Sequence, residues 1–290
     1  MRLNYVTYCD ETMPAYRYRM RMPGEYIGDY EITDLPVEAD IHLYSKPYHQ
    51  NEVLLSQHLQ IASKLRFVLD ICDDIFLRDG PVPDYMRKMA KMSKAVVVPT
   101  ELMKDRVKEE TGIEAVIISD PCEFPEMPIK DISEPRVLWF GTFPNMFTLK
   151  DINLDYPLEV VCSRRAYKAC KEIGAKFTEW SIDNLKEAFD RNNIVIIPSV
   201  NKRRLVKSPN RVLESIRSGL SVVAAPIPAY QQFAISLDWD MNNGIRNIVK
   251  TTKESQKYVN DNFDISVIGE QWKKLFDSIL AVEQESLRTG

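Results

Sequence analysis

The residues best suited to chemistry gather around one expected helix start. Lys202, Arg203, Arg204, Lys207 and Arg211 surround the tripeptide Ser208-Pro209-Asn210. Open backbone N–H groups at a helix N-terminus, with cations beside them, attract anions, and phosphate is the usual one. Glu214, one turn further in, offers a carboxylate suited to the hydroxyl pair of a ribose. The cations, Ser208, Asn210 and Glu214 therefore outline a nucleoside-diphosphate site. A second set is acidic. Asp10, Asp73 and Asp74 fall in loops after apolar runs, and the Asp73-Asp74 pair suits a polar active-site or helix-capping role. The Asp73-Asp74 turn lacks the ligand count of a dedicated divalent-metal site, so no metal is expected. A third set is the run Tyr16-Arg17-Tyr18-Arg19-Met20-Arg21-Met22. It reads either as a surface that contacts phosphates and bases, or as a short amphipathic helix holding Arg17, Arg19 and Arg21 over a cleft.

These side chains need a frame, and the hydrophobic pattern supplies one. Asn193–Ile197 is apolar and β-branched, closed by Pro198, as expected of a strand buried on both faces. Ser208 is placed to cap the following helix and Pro209 to open it. That helix turns Val212, Leu213 and Ile216 inward and ends at Gly219, and the strand Ser221–Ala225 follows. The same unit recurs upstream. Strands are expected at Leu3–Tyr8, Ala39–Tyr44, Arg66–Ile71, Ala95–Val98 and Ala115–Ile118, alternating with helices. After a stretch holding Pro121, Pro125, Pro128 and Pro135, a fresh series begins with Arg136–Phe140, Leu158–Cys162 and Ala175–Thr178. The expected fold is α/β: two Rossmann-like domains, each a doubly wound parallel sheet, facing across a cleft. The first spans 1–125 and presents the acceptor, and the second spans 126–265 and holds the donor. Residues 266–290 form a terminal helix able to pack back toward the first domain.

Ligands of such sheets bind at the carboxyl ends of strands. That rule adds Gly141, Thr142 and Trp180 on the donor side, Trp180 being suited either to stacking on a base or to packing. On the acceptor side it adds Lys46 and His49. The three histidines lack the i, i+4 spacing of a helical zinc site.

Composition sets outer bounds. With 290 residues, 44% hydrophobic and 28% charged, the chain is globular and long enough for two cores. A net charge of -4 argues against bulk electrostatic binding of nucleic acid, though not against a local basic groove. Five cysteines without a C-x-x-C pair, no leader-like N-terminus and no membrane-length apolar run point to a cytoplasmic protein.

The series K-S-P-N-R-V-L-E-S-I-R-S-G-L-S-V-V-A-A, Lys207 to Ala225, resembles the donor-binding segment of GT-B glycosyltransferases, especially the large retaining family 4. In that family a loop leads into a helix bearing a glutamate, then A-x-G-x-P-V-V-A. The resemblance implies that Glu214 holds the ribose of a sugar nucleotide and that Ser208 and the helix amides meet its diphosphate. It is specific from about Ile194 to Tyr230. Val206 stands where the family has a sugar-contacting glutamate, and the loop Gly141–Lys150 lacks the family's arginine, leaving Arg203, Arg204 and Lys207 to supply cations. The implied activity is metal-independent transfer of a hexosyl or pentosyl group from a nucleoside-diphosphate sugar, with no cofactor beyond that co-substrate. Family likeness favours retention, whereas an inverting version would require a carboxylate base, with Asp10, Asp73 and Asp74 as candidates. The acceptor is a glycan, a small molecule or a hydroxymethylated base in phage DNA. The alternative is a two-lobed protein that binds a nucleotide sugar or other ligand without transferring it. The oligomeric state is not legible.

Overall fold

The computed structural model describes residues 1–150, 152–199 and 206–289, with side chains to residue 282. The chain forms two compact units. One comprises Met1–Glu123, Val206–Ser208 and Phe263–Gly290, the other Phe124–Leu205 and Pro209–Asn262.

The first unit is built from β1 (Leu3–Val6), α1 (Pro14–Tyr16), a π-helical turn (Arg17–Arg21), α2 (Met22–Ile27), β2 (Tyr30–Thr33), β3 (Ile41–Ser45), α3 (Glu52–Ala62), β4 (Phe67–Asp70), α4 (Val82–Met92), β5 (Ala95–Val98), α5 (Glu101–Thr111) and β6 (Val116–Ile117). Its six strands pair in the order β2-β1-β3-β4-β5-β6. All pairs are parallel. β1, β3 and β4 are buried along their whole length, because a parallel sheet covered on both faces has no wet side. Successive residues of a strand face opposite ways, which sorts the core into two layers. Val6, Tyr44, Leu69 and Val98 pack with Leu55, Met86, Met89 and Val107 of the helices. On the other face Leu3, Tyr5, Leu43 and Val68 pack with Met20, Ile268, Trp272 and Phe276.

The second unit contains β7 (Val137–Phe140), β8 (Leu158–Cys162), α6 (Tyr167–Glu172), β9 (Lys176–Glu179), α7 (Ile182–Arg191), β10 (Ile194–Ile197), α8 (Asn210–Arg217), β11 (Ser221–Ala224), β12 (Ser236–Leu237), α9 (Met241–Arg246) and most of α10 (Lys253–Phe263). The last helix, α11 (Ile265–Thr289), belongs to the first unit. The second sheet runs β12-β11-β10-β7-β8-β9, again all parallel. One of its faces is the cluster of Trp139, Val160, Ile194, Ile196 and Val223 with Met146, Cys170 and Met241. Gly219 closes α8 at φ 77°, and a side chain there would run into the backbone carbonyl of Pro128. Only glycine meets both demands.

Two strands escape the sequence reading. β2 is half-exposed and carries Glu31, so its pattern is too weak to announce an edge strand. β12 is two residues long. Among the described residues no helix is long and apolar enough to cross a membrane.

Candidate functional site

In the second sheet the chain steps outward one way through β8 and β9 and the other way through β11 and β12. The reversal lies between β7 and β10. At such a switch point the two loops leaving the carboxyl ends diverge and open a crevice. The loops here begin with Gly141-Thr142 and Pro198-Ser199. Gly141 donates its N–H to the Val161 carbonyl at 3.2 Å. A Cβ on Gly141 would stand 3.1 Å from the Trp139 ring, so its absence lets the loop lie against the indole. Thr142 Oγ1 accepts from Asn145 Nδ2 at 3.0 Å. α8 is tied to the end of β7 through Arg211. Its guanidinium reaches the Phe140 carbonyl at 3.4 Å, lies 6.0 Å from the Trp139 ring centre and shares a side-chain hydrogen bond with Tyr230.

Glu214 lies within the same helix, 1% exposed, and accepts from the Phe124 backbone N–H at 3.2 Å. A carboxylate withdrawn from water is retained only where hydrogen bonds replace its hydration. Asn210 is the first residue of α8. Trp180 follows β9, is partly buried and donates its backbone N–H to the Cys162 carbonyl at 2.8 Å. Gly141, Thr142, Trp180 and the α8 residues Asn210 and Glu214 thus all follow the carboxyl ends of this sheet. Arg203 and Arg204 lie outside the described residues.

Ser208 departs from expectation. Pro209 occupies the cap position of α8 and no side chain caps it. The Ser208 hydroxyl instead donates to Asp120, in the first unit to which residues 206–208 belong. Lys207 is likewise held in that unit, 3.7 Å from Asp73. Val206 packs on the first core and accepts from the Thr100 hydroxyl.

In the first unit the switch lies between β1 and β3. Asp73 is the centre of one cluster, with Lys46 at 2.7 Å and Lys207 on its other oxygen. Burial alone would raise the Asp73 pKa, but the two ammonium groups outweigh it and hold the carboxyl below its usual range. Lys46 follows β3 at φ 49°, the sole non-glycine residue with positive φ among those described. That conformation costs an L-residue on the order of 1–2 kcal/mol. Asp74 pairs instead with Arg106 at 3.5 Å. Asp10 lies on the surface after β1, its Oδ1 accepting from the Thr12 N–H at 2.9 Å. It borders a cleft of about 300 Å³ at the carboxyl ends of β1 and β2. His49 is exposed, accepts from the Asn51 N–H at 3.1 Å and sets its ring against Tyr8.

The arginine run is helical, as its second reading expects, but Arg17 and Arg19 are buried against acids and Arg21 is half-buried. Arg17 donates to both oxygens of Glu123 at 2.9 Å, and Arg21 reaches the same carboxylate at 2.8 Å. Arg19 is 1% exposed, bonds Asp70 at 2.6 Å, the Ile118 carbonyl at 2.6 Å and Asp120 at 3.3 Å, and lies over Trp272. A π-helical turn widens the helix and shifts the facing of its side chains, and buried acids supply the attraction. Sequence reading missed Asp120, Glu123 and Tyr230, none of which sits in a recognisable motif.

No protein-family model matches the chain, and no curated protein matches it. Solved structures do match in shape. Anabaena HepE, in complex with UDP and glucose, is 12% identical over 96% of this chain and 100% of its own, with a TM-score of 0.71. A variant of S. aureus TarM, in complex with fondaparinux, alpha-GlcNAc-glycerol and UDP, is 13% identical over 81% of this chain and 55% of its own, with a TM-score of 0.58. The architecture is therefore that of the GT-B fold, two all-parallel six-stranded sheets with interleaved helices.

Proposed function

We propose that this protein transfers a glycosyl group from a nucleoside-diphosphate sugar to an acceptor hydroxyl, as a retaining enzyme that needs no metal. The observation that carries the reading is Glu214, a buried carboxylate on the helix that abuts the switch-point crevice of the second sheet. There it can exchange its bond to Phe124 for the ribose hydroxyls. Asn210 and the backbone of Gly141 and Thr142 meet the diphosphate, Trp180 the base, and Arg203 and Arg204 the growing charge on the leaving group, stabilising it where it develops. HepE, similar over its whole length, was crystallised with UDP and glucose, which supports a nucleotide-sugar donor. Asp73 is held ionised by two lysines, and a carboxylate so stabilised is a weak proton acceptor. This favours retention, in which the leaving phosphate takes the acceptor's proton. No disulfide joins the five cysteines, in keeping with a reducing, cytoplasmic setting.

Val206 supports a second reading. The position that would carry a sugar-contacting carboxylate is apolar and packs on the first core, as in a protein that binds a sugar nucleotide without transfer. Two measurements decide. UDP and other nucleoside diphosphates should raise the melting temperature, in proportion to the logarithm of concentration over Kd. Glu214→Ala should weaken that binding by on the order of 1–3 kcal/mol. If no nucleotide stabilises the protein, both readings fail. Stabilisation without turnover of any sugar nucleotide, with acceptors present, selects the second.

A further inference from the structure

The cleft at the ends of β1 and β2 holds chemistry that donor binding leaves unassigned. Its volume of about 300 Å³ is at the small end of ligand sites, roughly 300–1,000 Å³. Tyr8 and Tyr16 form its aromatic wall, Asp10 and Asp34 its acidic one, and neither lysine nor arginine lines it. Tyr8 is 43% exposed, yet its ring is held on two sides. It stacks on His58 at 5.4 Å between centres, and its plane stands 70° from that of His49 at 6.3 Å.

The Tyr8 hydroxyl lies 2.9 Å from Nε2 of His58. His58 is 5% exposed, and its Nδ1 has no hydrogen-bond partner. A buried N–H without an acceptor is rarer and worse tolerated than a bare lone pair. The imidazole proton therefore belongs on Nε2, where it donates to the Tyr8 oxygen. The phenol proton is then directed away from His58 and left for a ligand. Burial, with Asp34 beside it, pushes the Tyr8 pKa up, so the phenol keeps that proton. Burial pushes the His58 pKa down, so the imidazole stays neutral.

We propose that this cleft seats a neutral carbohydrate, with the Tyr8 ring as its stacking platform, the Tyr8 hydroxyl as donor, and Asp10 and Asp34 as acceptors for sugar hydroxyls. A pyranose offers one face of polarised C–H bonds, which suits the negative face of an aromatic ring. It also offers adjacent hydroxyls, which suit carboxylates. A polyanion such as DNA meets two carboxylates here, and Arg17, Arg19 and Arg21 are already engaged by Glu123, Asp70 and Asp120. His58 is a positioning residue that fixes the direction of the Tyr8 proton. Only the role of the bound sugar as acceptor rests on the glycosyl-transfer reading; its binding does not.

The test is an NMR titration of the whole protein with maltose, cellobiose and lactose, without nucleotide. At least one disaccharide should shift the amides of Thr7–Asp10 and Thr33–Asp34. Tyr8→Phe should weaken its binding about five- to tenfold, and Tyr8→Ala should abolish it, while the response to UDP is unchanged in both. The imidazole nitrogen spectrum of His58 should show Nε2 protonated. The inference is overturned if no disaccharide shifts these amides, if only inorganic phosphate or a DNA oligonucleotide does, or if both Tyr8 variants bind like the parent. A proton on Nδ1 overturns the assigned direction of the phenol. Loss of the UDP response with sugar binding intact instead removes the donor reading and leaves this one standing.

Discussion

The two sheets share a construction and place their main buried ion-pair networks at opposite ends. In the first, Asp70 ends β4 and joins Arg19 and Asp120, while Lys46 and Asp73 follow β3 and β4. The network sits at the carboxyl ends, under the loops. In the second, the ionic network is at the amino ends. Glu159, near the start of β8, accepts from Arg191 at 2.8 Å, Thr178 at 2.7 Å and Asn192 at 2.9 Å. At the switch point the carboxyl ends of that sheet carry Gly141, Thr142 and Ser199, and Arg211 reaches the Phe140 carbonyl beside them. The difference teaches how one fold divides labour. Buried ion pairs hold the first set of loops in place, whereas the crevice of the second is lined, among the described residues, by backbone groups beside Glu214.

The contrast can be broken in several places. Arg19→Ala should have the largest effect, because it leaves Asp70 and Asp120 buried with no counter-charge. We expect a loss of about 3–5 kcal/mol in denaturant unfolding, and a loss below about 1 kcal/mol would show that the network is incidental.

Glu159→Gln should come next. Burial would raise the Glu159 pKa, but hydrogen bonds from Arg191, Thr178 and Asn192 and the charge of Lys176 bring it down to about 2 from the ordinary 4.5. A depressed carboxylate stabilises the fold above its unfolded pKa, and that stabilisation fades as pH falls from about 4.5 toward 2. The substitution should therefore cost about 2–3 kcal/mol at neutral pH, and the gap between the two proteins should narrow on acidification. A gap independent of pH would mean that packing, not ionisation, is at work.

The smallest effect separates two serines with the same local signature. Ser181 caps α7, its hydroxyl accepting from the Asn184 N–H at 3.0 Å, whereas Ser208 does not cap α8. Ser181→Ala should cost ~1 kcal/mol and speed amide exchange in the first turn of α7. Ser208→Ala should leave exchange in the first turn of α8 unchanged.

Those serines also mark where sequence reading stops. Ten of the twelve strands among the described residues were legible. Most were so because a parallel strand buried on both faces must be apolar throughout, as in Ile194–Ile197, and the partly exposed β6 and β9 from their place in the alternation with helices. β2 and β12 were not, one being half-exposed and the other too short. Glu214 was legible as a residue of interest because its helix, cap and following strand are local. The destinations of Ser208 and Arg19 were not. Asp120 lies 88 residues from the one and 101 from the other, and local pattern carries no information on such partners. The Tyr8–His58 pair is hidden for the same reason, at a separation of 50 residues.

The place of α11 in the first core has a consequence for biosynthesis. Leu3, Tyr5 and Met20 are polymerised early, but Ile268, Trp272 and Phe276, which cover the same face, come last. Every segment of the second unit, through Asn262, is made in between. Until α11 is made, this face of the first sheet therefore lacks Ile268, Trp272 and Phe276, and Arg19 lacks its aromatic cover, while the second unit already has all its parts. Order of completion inverts order of synthesis. A chain halted before Ile265 lacks this cover and should expose more of that apolar face.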